Sequence, residues 1–96
     1  MHWPFCTAPD PPSWPAPLSH QLGYSGTQLR ATWATMEEAV RLGKARAIGL
    51  SNLGPNRLGA LLSSGVEILP AAVQTEPHPY LPNEALPALF AARGIP

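Results

Sequence analysis

The chain has 96 residues, with six Lys+Arg balanced by six Asp+Glu and a single cysteine, Cys6. That length allows one small domain, burying roughly 60–65% of the surface its unfolded chain exposes. Balanced charge without a basic stripe argues against a nucleic-acid surface, and one cysteine excludes both a disulfide framework and a tetracysteine metal site.

No apolar run reaches the ~20 residues needed to span a membrane. The first residues, "MHWPF", are not a basic segment followed by an apolar one, so they do not read as a signal peptide. A cytoplasmic setting is expected, with a plastid the alternative if an N-terminal segment is missing. Proline is over-used: six of the 13 prolines fall within residues 4–17. Each removes an amide donor and restricts its predecessor, so "PDPPSWPAP" is excluded from helix and from central strand. A long loop is expected over about residues 4–26, either a plain connection or a ligand for an aromatic-lined groove.

Past this loop, Leu29, Trp33, Met36 and Val40 recur at spacings of four, three and four. This places them on one buried helical face, with Arg30, Glu37 and Arg41 turned elsewhere, and Gly43 is a natural left-handed stop. "ARAIGL" follows, apolar on successive positions as in strands covered on both faces. Pro55 suits a first helical position, Leu58, Leu61 and Leu62 supply the stripe, and Gly65 ends that helix. "ILPAAVQTE" is a second strand with Pro70 and Pro77 at its ends. Asn83 then caps a third helix carrying Leu86, Leu89 and Phe90, closed by Gly94.

Strands alternating with helices imply βα units, and both doubly wound sheets and (β/α)8 barrels fit. Neither G-x-G-x-x-G nor G-x-x-x-x-G-K-[ST] occurs, so no nucleotide loop favours the doubly wound option. In a barrel the site lies at the carboxyl ends of the strands. There the sequence puts Ser51 and Asn52, then Gln74 and Glu76, with His2 and Trp3 where an earlier strand would end. Each has a plainer reading: Asn52 as a cap for the helix at Pro55, His2 as an ordinary surface or core histidine, Glu76 and His78 as supporting residues. Cys6 and His20 lack metal-ligand spacing, so no metal site is expected.

Four stretches in order, "HWP", "TWATMEEAVRLGKARAIGLSNL", "LPAAVQTEPHPYLPNEAL" and "ARGIP", resemble the aldo-keto reductase family, NADPH-dependent barrel enzymes that reduce aldehydes and ketones. The resemblance covers nearly the whole chain outside the proline-rich loop. It implies an α/β fold: an incomplete (β/α)8 TIM barrel running from the end of strand 4 through helix 6, with residues 1–96 forming part of an NADP-dependent oxidoreductase domain. By the same resemblance His2 is the catalytic histidine orienting the substrate carbonyl and Trp3 lines the substrate pocket. Ser51, Asn52 and Gln74 hydrogen-bond the nicotinamide carboxamide of NADPH. A hydroxyl and two amides supply the donors and acceptors that a carboxamide needs.

There are departures. Val73 stands where the family usually has asparagine, and Leu53 where it often has an aromatic residue. The family's proton-donating tyrosine, lysine and aspartate precede "HWP", and its phosphate-binding segments follow "ARGIP". Tyr24, Tyr80 and Lys44 do not take those places. The expectation is therefore a truncated reductase, inactive as 96 residues. The implied partners are a small carbonyl substrate and a protein completing the open barrel, with no nucleic acid and no membrane. The alternatives are a short non-catalytic protein docking through its open sheet and half of a split reductase.

Overall fold

A computed structural model of the chain describes residues 1, 6–7, 21–76 and 85–95. The elements run β1 (Cys6–Thr7), β2 (Gln21–Gly23), α1 (Gly26–Arg41), β3 (Leu50–Ser51), α2 (Pro55–Leu62), β4 (Val73–Gln74) and α3 (Ala85–Arg93). Two separate two-stranded sheets result: β1 pairs antiparallel with β2, and β3 pairs parallel with β4. A helix between two parallel neighbours is a βαβ unit, as the alternation of elements requires.

The β1–β2 pair corrects the expectation of an uninterrupted loop over residues 4–26. Cys6 pairs with Gly23 and Thr7 with Gln21, with an irregularity in register between them. Both strands lie outside the "PDPPSWPAP" run, where backbone donors remain for a ladder. That run itself lies outside the described residues.

Helix α1 begins where Ser25, in extended backbone, accepts a hydrogen bond from the Gln28 N–H at 3.3 Å. It stops at Gly43, which has φ +68°. Gly43 N–H donates to Val40 O and Lys44 N–H to Ala39 O, both at 2.9 Å, the paired bonds of a Schellman ending. Pro55 opens α2 as expected, and Gly54, not Asn52, occupies its cap position. Gly54 has no side chain, so α2 starts without a side-chain hydrogen bond from its cap residue. Gly94, at φ +64°, closes α3. The proposed cap Asn83 lies outside the described residues.

The core gathers Leu29 and Trp33 from α1, Ile48, Leu50 and Leu53 from β3 and its flanks, Leu58, Leu61 and Leu62 from α2, and Leu86 and Ile95 from α3 and its end. Met36 and Val40 pack against it half-buried. The expected strands are shorter than their apolar runs. Among the described residues β3 and β4 pair with each other, and the regular pairing covers two residues of each. Ladder-like bonds flank it, from Ala71 N–H to Ile48 O at 2.9 Å and from Leu50 N–H to Ala72 O at 3.1 Å.

Glu37 corrects the reading of α1. It is 1% exposed rather than turned outward. Four residues after Trp33, which itself follows Leu29 by four, it extends the buried face by one turn. Its carboxylate is fully engaged: Oε1 accepts from the N–H groups of Glu67 at 2.7 Å and Ile68 at 3.0 Å, and Oε2 faces Arg30 at 3.3 Å. Burial pushes this carboxyl up from its ordinary value of 4.5, but the two backbone donors and the Arg30 and Arg41 charges outweigh it and hold it lower.

A carboxyl depressed on folding contributes stability that is complete above the unfolded value and is lost as pH falls through the folded one. The urea midpoint, followed by tryptophan fluorescence, should accordingly change little from neutrality to about pH 5 and fall below about pH 4.5. Glu37→Gln should flatten that fall. Equal acid slopes in both proteins would mean that other carboxylates carry it.

Candidate functional site

The sheet made by β3 and β4 brings two of the sequence-predicted residues together. Ser51 lies directly opposite Gln74 in the parallel register, both at the carboxyl ends of their strands. Neighbouring strands are ~4.8 Å apart, and paired residues in a parallel ladder face the same side of the sheet. Ser51 and Gln74 accordingly line one cleft of about 430 Å³, with Met1, Gly49, Leu50 and Ala72. Ser51 is half-buried and Gln74 exposed, so both can reach a ligand from solvent.

Asn52 joins them through its backbone. Its N–H donates to Gln74 O at 3.0 Å, continuing the ladder one step past Ser51. It then departs from the strand at φ +57°, among the described residues the one non-glycine in the left-handed region. Asparagine tolerates that region better than most side chains. The turn ends β3 abruptly and sends the chain by way of Leu53, fully buried in the core, into α2. Asn52 is not among the residues lining the cleft.

Gly49 sets the floor. A Cβ placed there would stand 2.8 Å from Ala72 O, so only glycine lets the strands approach this closely. On the other side of β3, the Met1 nitrogen donates to Gly49 O at 2.9 Å. His2, Trp3 and His78 lie outside the described residues. Glu76 is exposed two residues past Gln74.

A larger cleft of about 680 Å³ lies elsewhere, between α1 and α2, lined by Tyr24, Leu29, Ala31, Ala34 and Leu61 among others. Its size does not make it the better candidate. Parallel α/β folds present their chemistry at the carboxyl ends of strands, where the smaller cleft sits. Among the described residues, no three His, Cys, Asp or Glu side chains group as a metal site, and no helix is long and apolar enough to cross a membrane.

Sequence reasoning missed Glu37 as a buried group and Asn52 as a left-handed turn. The spacing of four from Trp33 signals the first. The abrupt change from "IGL" to "SN" signals that β3 ends, but not the sign of φ.

The chain is similar to known proteins over nearly its whole length. The chain is 35% identical over 95 residues to Aldo-keto reductase family 1 member A1 of Pongo abelii and of Sus scrofa. It is 34% identical over 95 residues to the protein of that name from Xenopus tropicalis. Each alignment covers 99% of this chain and 29% of the relative, so the chain spans under a third of the length of the curated relatives it matches. The aldo/keto reductase family model matches residues 1–96. The chain belongs to the aldo/keto reductase family.

Proposed function

We propose that residues 1–96 are the central part of a (β/α)8 barrel reductase that uses NADPH to reduce aldehydes or ketones, and that Ser51, Asn52 and Gln74 secure the nicotinamide carboxamide. The observation that carries this reading is the register of β3 against β4, which sets Ser51 beside Gln74 at the strand ends on one cleft. The residues fit the group. A carboxamide has one oxygen to accept and one NH₂ to donate, and a serine hydroxyl beside a glutamine amide offers both complements. NADPH, when bound, supplies the hydride.

The chain's own part is positioning, since fixing the amide fixes which ring face meets the substrate. His2 is assigned the hydrogen bond to the substrate carbonyl, and Trp3 a wall of its pocket. Charged hydrogen bonds to the cofactor's phosphates are worth ~1.5–3 kcal/mol each, and the family's phosphate-binding segments follow the matched stretch. The 96 residues alone should therefore bind NADPH weakly and be inactive.

A chimera tests the assignment: residues 1–96 replace the matched stretch of the Sus scrofa relative. The chimera should oxidise NADPH in the presence of an aldehyde. Ser51→Ala within it should weaken NADPH binding about fivefold, the equivalent of one lost hydrogen bond of ~1 kcal/mol. His2→Ala should lower turnover more than it weakens cofactor binding. A folded chimera that neither binds nor oxidises NADPH sinks the proposal. Equal losses of melting temperature in both variants, with kinetics per folded molecule unchanged, sink the two residue assignments.

A further inference from the structure

Three side chains of α1 read the backbone of the connection between α2 and β4. Arg30 donates to Gly65 O at 2.9 Å and to Ser64 O at 3.4 Å. Glu37 receives the N–H groups of Glu67 and Ile68, and the Trp33 Nε1–H donates to Ile68 O at 3.1 Å. Trp33 is wholly buried and Glu37 nearly so. The three lie on one helix at spacings of three and four, so they form a single rigid strip.

Four backbone positions of one short connection are thus held by one helix. The Ile68 peptide is held at both its N–H and its C=O. Three residues later the chain enters the ladder, with Ala71 N–H on Ile48 O, then Ala72 O on Leu50 N–H, then Gln74 O on Asn52 N–H. A slip of one residue between the connection and the ladder would move Gln74 off Ser51 and turn its side chain to the opposite face. Ladder bonds cannot prevent such a slip alone, because both strands are short and pair regularly over only two residues.

We infer that Glu37, Trp33 and Arg30 are positioning residues that fix where β4 begins and so set Gln74 opposite Ser51. The functional consequence rests on the proposed role of Ser51 and Gln74; the geometry does not. Trp33 and Glu37 are buried, Arg30 is half-buried, and none of the three lines the cleft of Ser51 and Gln74. It also explains why a charged residue occupies the buried face of α1, where an apolar side chain would pack but leave the Glu67 and Ile68 N–H groups unpaired.

Amide hydrogen exchange by NMR on the 96-residue chain tests this. In Glu37→Ala, Leu50 and Asn52 amides should lose protection about tenfold more than the α2 amides Leu58 and Ser63, which bond within their own helix. Glu37→Gln, which keeps the acceptor, should restore most of it. Trp33→Phe, which keeps a ring and removes the donor, should give an intermediate loss. A uniform loss at all four amides, an unchanged Leu50 and Asn52, or a wild-type chain in which those two are unprotected would overturn the inference. NADPH binding to the folded chimera separates the two ideas. If the exchange pattern appears in the 96-residue chain while Gln74→Ala leaves the chimera's NADPH affinity unchanged, the positioning device stands and the cofactor reading falls.

Discussion

Trp33→Ala should lower the melting temperature by roughly 12–40 °C. The side chain is 0% exposed and lies in the core with residues from β3, α2 and α3. Truncating a buried tryptophan costs about 3–5 kcal/mol, and each kcal/mol is worth roughly 4–8 °C in a domain of this size. The change also strips Ile68 O of its indole donor. A chain of 96 residues at roughly 0.05–0.15 kcal/mol per residue holds only about 5–14 kcal/mol in all. The variant should therefore be near the edge of folding at 37 °C, as differential scanning calorimetry would show. A loss under about 1 kcal/mol would mean that Trp33 is not buried as described.

Gly49→Ala should cost about 2–4 kcal/mol, a large effect for one methyl group. The new Cβ would meet Ala72 O at 2.8 Å, and a backbone carbonyl cannot rotate away as a side chain can. The strands must separate next to the bond from Leu50 N–H to Ala72 O, so a hydrogen bond is strained along with the packing. Gly59→Ala is the control. Its Cβ would meet nothing within 4 Å in the interior of α2, and alanine should stabilise that helix by roughly 0.5–1 kcal/mol. Urea midpoints moving in opposite directions would establish that the space behind Gly49 is the cause. Matching shifts would argue that glycine flexibility alone matters at both positions.

The features legible in the sequence are those written locally. The apolar spacing in α1 and α2, Pro55 at a helix start and Gly43 and Gly94 at helix ends each depend on a few adjacent residues, and the structure has them. The pairing of Ser51 with Gln74 was legible because two strand ends in a βαβ unit must lie together. What was hidden depends on distant partners. Glu37 reads as a surface residue until its donors, 30 and 31 residues away, are in place. The β1–β2 ladder joins residues on either side of a proline-rich stretch that predicts no strand. The left-handed Asn52 follows from where the chain must go next, which no local pattern records.

The span of the α1 contacts also bears on synthesis. A ribosome adds roughly 5–20 residues per second, and Ile68 follows Trp33 by 35 positions. For roughly 2–7 s, then, the nascent chain carries α1 without the segment that covers it. A stripe of Leu29, Trp33 and a third apolar residue would be free to stick to other nascent chains during that interval. Glu37 interrupts the stripe with a solvated charge, the gatekeeper arrangement that natural sequences use against aggregation. When residues 67 and 68 emerge, their N–H groups replace the water around that carboxylate, and a charge that would be solvated in the unfinished helix becomes buried in the finished one.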